Sequence, residues 1–301
     1  MLRILVTTIT LFVLAGAHAQ TPTRAGTAHD RAFWQEVVAQ KYRVPEGEAV
    51  LPLAIELAGF VTSTDAELRD TFGYEILTNW IHRSGKLSTA DLDALCKVFL
   101  TFALAGIGES GTDTIFTRSF ALLNLKELAG ADLKTPYLTR VAFDELFELA
   151  LRSLASENDL RGYVPEKGWA HATAHCADLL KVLGRNSKLS VPQQTRLIAA
   201  IITRTRATTT AFAWSEDARL AAALASVAQR ADADVASFDS WLVALRTEHR
   251  RLWDGAFDIS AYMRLRAQVN ALTHLAVIAA TLPAFPAKLG DALHTTLPKL
   301  S

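Results

Sequence analysis

Residues 135 to 155 read TPYLTRVAFDELFELALRSLA, and the reading of this stretch decides the fold class. Leu138, Ala142, Leu146, Ala150 and Leu154 recur every fourth residue, the spacing that lines one face of an α-helix. Thr135 is suited to cap that helix and Pro136 to open it, because the first turn has no use for the amide hydrogen that proline lacks. The pattern therefore predicts a helix beginning at Pro136.

Working outward, the same spacing continues from Ala32 to the C-terminus, with alanine and leucine dominant and almost no β-branched alternation. Thr64 with Glu67, Ser88 with Asp91 and Ser190 with Gln193 stand at the capping-box interval, which places helix starts near residues 65, 89 and 191. Glycine-containing breaks at 106 to 111, 129 to 131, 162 to 168 and near 184 supply the stops. The sum is about a dozen helices, roughly two per 40 to 45 residues, the interval of helix-pair repeats. The expected fold is all-α, with stacked antiparallel pairs forming a HEAT- or armadillo-like α-solenoid; a closed α/α toroid of six pairs is the alternative.

The chain opens MLRILVTTITLFVLAGAHAQ. Arg3 precedes an apolar run from Ile4 to about Ala17 that ends in the small-x-small step Ala17, His18, Ala19, the three-part pattern of a secretory signal peptide. The run is shorter than the roughly 20 residues a bilayer core demands. Residues 1–19 are thus expected to be a cleaved leader, and 20–301 a single all-α domain, periplasmic or secreted. No Pro-, Gly- or Ser-rich linker divides that domain, and half of all residues are hydrophobic, ample for a sizeable core.

The 31 basic residues fall to 30 when Arg3 is removed, against 31 acidic ones. So neutral a chain offers no strong field to a nucleic acid or an anionic membrane, and neither is expected as a partner. Later apolar runs such as 272–282 are too short for stable membrane insertion. The two cysteines, Cys96 and Cys176, fall inside helical patterns and make no zinc pattern; buried free thiols are the expectation, with a disulfide as the alternative.

The chemistry is concentrated in RGYVPEKGWAHATAHCAD, residues 161 to 178. On a helix beginning near Lys167 with His171 at 0°, His175 falls at about 40°, Asp178 at about 340° and Lys167 at about 320°, one polar stripe. Trp169, Cys176, Leu179 and Leu183 occupy the face expected to enter the core. Histidines at i and i+4 can share a divalent metal such as zinc, with Asp178 as third ligand and Glu216, Asp217, Asp159 or His82 as candidates for a fourth. The metalloprotease H-E-x-x-H is absent, since Ala172 stands where its glutamate would be. Two metal-free readings stay open beside it: Asp178 orienting an imidazole that acts as a base, with Lys167 biasing nearby pKa values, or a polar seam satisfied by backbone carbonyls and Arg161.

In the preceding loop Arg161 can pin a carboxylate, Gly162 and Gly168 permit positive φ, and Tyr163 and Trp169 either stack on a ligand or anchor the loop. Elsewhere, WSEDARLAAAL sets Glu216 and Arg219 at i, i+3, and TRSFALLNL offers Arg118 beside Ser119 without a nucleophile context.

The combination of RGY, KGWAHATAHCADLL and, some forty residues on, SEDARLAAAL resembles the bacterial family known as domain of unknown function 2785, over about residues 56 to 282. The motif positions fall on Arg161, Gly162, Gly168, Trp169, His171, His175, Asp178, Glu216 and Arg219. The resemblance implies an all-helical fold and no particular activity. Three functions follow as expectations: an exported helical-repeat protein binding a protein or small molecule, a metal-dependent hydrolase or metal-binding protein using His171, His175 and Asp178, and a carbohydrate-active toroid enzyme.

Overall fold

The computed structural model describes residues 29–300 apart from 84, 209, 210, 255 and 284. The expected signal peptide lies outside the described residues. Among them are twelve α-helices: α1 Arg31–Ala39, α2 Val50–Phe60, α3 Leu77–His82, α4 Thr89–Phe102, α5 Thr114–Lys134, α6 Arg140–Ser156, α7 Ala172–Arg185, α8 Val191–Ala207, α9 Glu216–Ala228, α10 Val235–Trp253, α11 Ile259–Thr281 and α12 Ala287–Thr296. A ten-residue π-helix, Glu67–Ile76, runs directly into α3. The strands β1, Tyr163–Val164, and β2, Gly168–Trp169, form one short hairpin. The fold is all-α, and no helix among the described residues is long and apolar enough to cross a membrane.

The helices pack in two rows. One row holds α5, α7, α9 and α11, each against the next, and the other holds α6, α8, α10 and α12. The rows meet where α6 lies on α7 and α8 on α11, while α2, α3, α4 and the π-helix cover the α5 end. At the other end α11 and α12 pack on their neighbours and make no extensive contact with α1 or α2, so the row is open and does not close into the alternative toroid. One apolar core runs through it from Trp34 to Leu300. Cys96 and Cys176 are free and buried within that core, and burial pushes both thiols up to about 12.

The capping boxes at Ser88 and Ser190 form as read. At the π-helix start the cap shifts from Thr64 to Asp65, whose Oδ1 accepts from the amides of Glu67 (2.9 Å) and Leu68 (3.3 Å). α6 begins at Arg140 rather than Pro136, because Thr139 supplies the cap to Ala142 N and the buried Asp132 carboxylate holds the amides of Tyr137 (2.7 Å) and Leu138 (2.8 Å) in a turn. Thr135 ends α5 instead of starting α6. Leu146, Ala150 and Leu154 are buried as the spacing required. Gly130 and Gly184, read as stops, lie inside α5 and α7. A mid-helix glycine costs only about 1 kcal/mol, little beside the packing of helices buried on nearly every side.

Candidate functional site

The RGYVPEKGW run folds as the β-hairpin, with Tyr163 opposite Trp169 and Val164 opposite Gly168. Glu166 and Gly168 take positive φ in the turn. Gly162 does not; its role is close approach, since a Cβ there would lie 2.2 Å from Trp214 Cγ. Ala170 N donates to Gly162 O and His171 N to Arg161 O, extending the ladder to the mouth of α7. Arg161 forks onto the Asp159 carboxylate at 2.7 to 3.0 Å and donates to Thr112 O. Lys167 pairs with Asp113 at 2.8 Å. From the π-helix the buried Arg69, its guanidinium between the rings of Phe116 and Phe120, donates to Lys167 O at 2.6 Å and fastens the hairpin to the body.

This local folding corrects the expected helical stripe. α7 begins at Ala172, so Lys167 and Trp169 belong to the hairpin, and His171 precedes the helix in the left-handed conformation (φ 58°, ψ 32°). A left-handed histidine is several-fold more common than most such residues but still strained, and here the carbonyl of Trp214, 2.5 Å from His171 Nε2, holds the ring. Trp169, expected to point inward, is 42 % exposed. Cys176, Leu179 and Leu183 do enter the core.

Four aromatic rings gather where the hairpin meets the loop before α9. Trp169 lies 5.2 Å from His171, 5.6 Å from Tyr163 and 5.8 Å from Trp214, the last two nearly perpendicular to it. Tyr163 and Trp214 are 51 % and 39 % exposed, so three large rings form a shelf open to solvent. Ser215, after Trp214, is left-handed like His171, and Glu216 accepts the Trp214 amide at 2.9 Å. Each of these loops therefore enters its helix through one strained residue.

Beneath the shelf, His175 lies one turn below His171, with ring centroids 5.7 Å apart. Its Nδ1 is 2.7 Å from Ser119 Oγ of α5, and Ser119 also bonds Ala170 O. A carbonyl can only accept, so the hydroxyl donates to Ala170 O and accepts from His175 Nδ1–H. The imidazole is thus fixed in one tautomer, and its Nε2 keeps a lone pair with no hydrogen-bond partner among the described residues. Burial, assisted by His171 and Arg219, depresses His175 to about 3, which keeps the ring neutral. Asp178, one turn further and only 4 % exposed, is paired through Oδ2 with Arg219 of α9, whose side chain is half-exposed; its Oδ1 is unpaired.

Next to this pair stands a carboxylate network. Glu127 of α5 accepts from Tyr74 OH at 2.8 Å and His82 Nε2 at 2.7 Å, and also pairs with Lys126. Burial would raise this carboxyl, but the bonds from His82, Lys126 and Tyr74 prevail and hold it down at about 2.

The remaining expected ligands go separate ways. Asp159 is taken by Arg161, His82 by Glu127, Glu216 by the Trp214 amide, and Asp217 lies 3.7 Å from His274. His171, His175 and Asp178 each engage a different partner, and among the described residues no three His, Cys, Asp or Glu side chains group as a metal ion requires. The chemistry available is that of an aromatic surface beside a neutral acceptor and a held guanidinium. Trp214 and Ser119 were visible in the sequence only as flanking letters of WSEDARL and TRSFALL. Tyr74 and Lys126 carried no signal, since each meets the site through a distant helix.

Fold and site together define an all-α protein of paired helices carrying an aromatic shelf over a buried histidine. The chain belongs to the family described as "Protein of unknown function (DUF2785)", whose model matches residues 104–276. That span is narrower than the 56–282 expected, yet it holds the whole hairpin, both left-handed helix entries and every residue of the shelf. No curated protein and no solved structure matches the chain.

Proposed function

We propose that this is an exported binding protein whose ligand seats on the shelf of Tyr163, Trp169 and Trp214, with His175 Nε2 and Arg219 supplying polar contacts beneath. One observation supports this reading above the others: three large aromatic side chains stay exposed over His171 and His175, the latter held through Nδ1 with no partner at Nε2 among the described residues. A seam serving stability alone gains nothing from either feature, because exposed rings and an unfilled acceptor both forgo interactions that folding could make. The leader expected at 1–19 accords with a role outside the cytoplasm. Ser119 donates its hydroxyl hydrogen to a carbonyl and is not poised as a nucleophile.

The test is a thermal-shift and tryptophan-fluorescence screen against sugars, nucleotides, amines, organic acids and short peptides. The expected result is a ligand that stabilises the wild type and is lost in Trp169→Ala and Arg219→Ala. A ligand bound equally by both variants would place binding elsewhere and refute the reading.

A further inference from the structure

The charge around the shelf narrows the chemistry of what it holds. Three cations around it already have a carboxylate: Lys167 is held by Asp113, Arg219 by Asp178 and Lys126 by Glu127. A phosphate or carboxylate ligand would therefore find each of these positive charges already neutralised, and displacing the carboxylate is unfavourable where it is buried, as Asp178 and Glu127 are. Asp113 and Glu127 are engaged in the same way, and the unpaired Oδ1 of Asp178 is buried, out of reach of a cationic ligand on the shelf. What remains open carries no net charge. His175 Nε2 accepts, the free edge of the Arg219 guanidinium donates, and the shelf presents apolar faces.

The rings fix a shape as well. Tyr163 and Trp214 both stand nearly perpendicular to Trp169, at 77° and 86°, with centroids 5.6 and 5.8 Å away. The result is stepped, with two rings set upright against a third. A large flat ligand cannot lie against all three faces. A chain of small rings, each with one C–H face and a rim of hydroxyls, can set successive rings on successive aromatic faces while its hydroxyls reach the acceptor and donor below. Hydroxyls both donate and accept, so one kind of group satisfies His175 Nε2 and Arg219 without charge.

We infer that the shelf is a subsite for a neutral oligosaccharide, stacked on Trp169 and Trp214 with a hydroxyl donating to His175 Nε2. This rests on the binding reading above and names its ligand class.

Isothermal titration with the full chain tests it, using short neutral oligosaccharides of glucose and of N-acetylglucosamine as probes, with ADP and choline as charged alternatives. The expected result is binding of a neutral oligosaccharide, weakened at least about tenfold, or 1.4 kcal/mol, in Trp169→Ala. Trp169→Phe, which keeps a ring, should recover most of the loss. Affinity should be flat from about 0.05 to about 0.5 M salt, because no ion pair is made with the ligand. Denaturant unfolding of each variant checks that the shelf, rather than the fold, was lost. Binding of ADP, or of choline through the exposed Glu166 at the hairpin tip, if abolished in Trp169→Ala, would overturn the sugar assignment and leave the shelf as a binding site. Binding of no probe at all, or binding of a sugar unchanged in Trp169→Ala, would overturn the inference; in the second case the proposed site falls with it.

Discussion

Two polar clusters lie toward opposite ends of α7, both buried, and they differ in one respect. At the C-terminal end Asp132 accepts from the amides of Tyr137 and Leu138, from Asn186 at 2.8 Å and from Lys188 at 2.9 Å, while Arg230 donates to the carbonyls of Gly184, Asn186 and Leu189. That cluster ties α5, α7 and the loops after them together, and the Asp132 carboxylate has every bond it can use. At the N-terminal end Asp178 Oδ1 is unpaired, His175 bonds through Nδ1 and has no partner at Nε2 among the described residues, and three aromatic rings face water. A buried network by itself signals stability; the unfilled groups at one end are what point to a ligand.

The comparison is broken most forcefully at the closed end. Asp132→Ala strands Lys188, Asn186 and two amides, and should lower unfolding free energy by about 3 kcal/mol in denaturant titration, with ligand response at the shelf preserved. If shelf binding disappears in a variant that remains folded, the two ends are coupled and the division is wrong.

Gly162→Ala attacks the open end through packing. The added Cβ would force Trp214 aside, and the expected penalty is about 1 to 3 kcal/mol, with a changed near-ultraviolet circular dichroism signal from the tryptophans. An unchanged spectrum would mean that Gly162 and Trp214 are not in contact.

Acid sharpens the contrast. A histidine held neutral to about 3 in the folded state binds its proton near 6.5 when unfolded, so the unfolded chain carries more protons between those values. Stability should therefore fall as pH drops below about 6.5, and His175 alone should contribute up to about 1.4 kcal/mol per pH unit. Glu127 acts lower: its stabilisation is present above its unfolded value and is lost as pH falls toward about 2. Urea titrations across this range should show a shallower acid limb in His175→Asn; an unchanged slope would mean the ring is protonated in the fold.

The smallest effect concerns Trp169→Ala. Because the ring is partly exposed and no bond depends on it, stability should change by less than about 1 kcal/mol, as measured by thermal unfolding. A larger loss would make the shelf a structural anchor for the hairpin.

The fold class was legible because helical spacing and caps act over a few residues. Ser88 and Ser190 cap as read, and Leu146, Ala150 and Leu154 are inside. His175 and Asp178 share a face for the same reason. What escaped was set by distant partners. The start of α6 depends on Asp132, whose own position needs Asn186 and Lys188, more than fifty residues away. His171 leaves the helix because hairpin bonds to Arg161 and the Trp214 carbonyl outweigh the strain of a left-handed residue. Helical spacing continued past 171 simply assumes that no such competitor exists.

The π-helix from Glu67 to Ile76 carries a consequence for the length of the chain. Arg69 and Tyr74 are five residues apart, a separation of about 140° in an α-helix of 3.6 residues per turn. The wider i to i+5 winding brings them nearer one face, where Arg69 grips the hairpin and Tyr74 grips Glu127. Deleting one residue between them would restore ordinary winding and leave the two four apart, about 40° round an α-helix and still on one face, whereas inserting one would set them six apart, about 240°, and turn one away from α5. This segment should therefore accept the loss of a single residue far better than the gain of one.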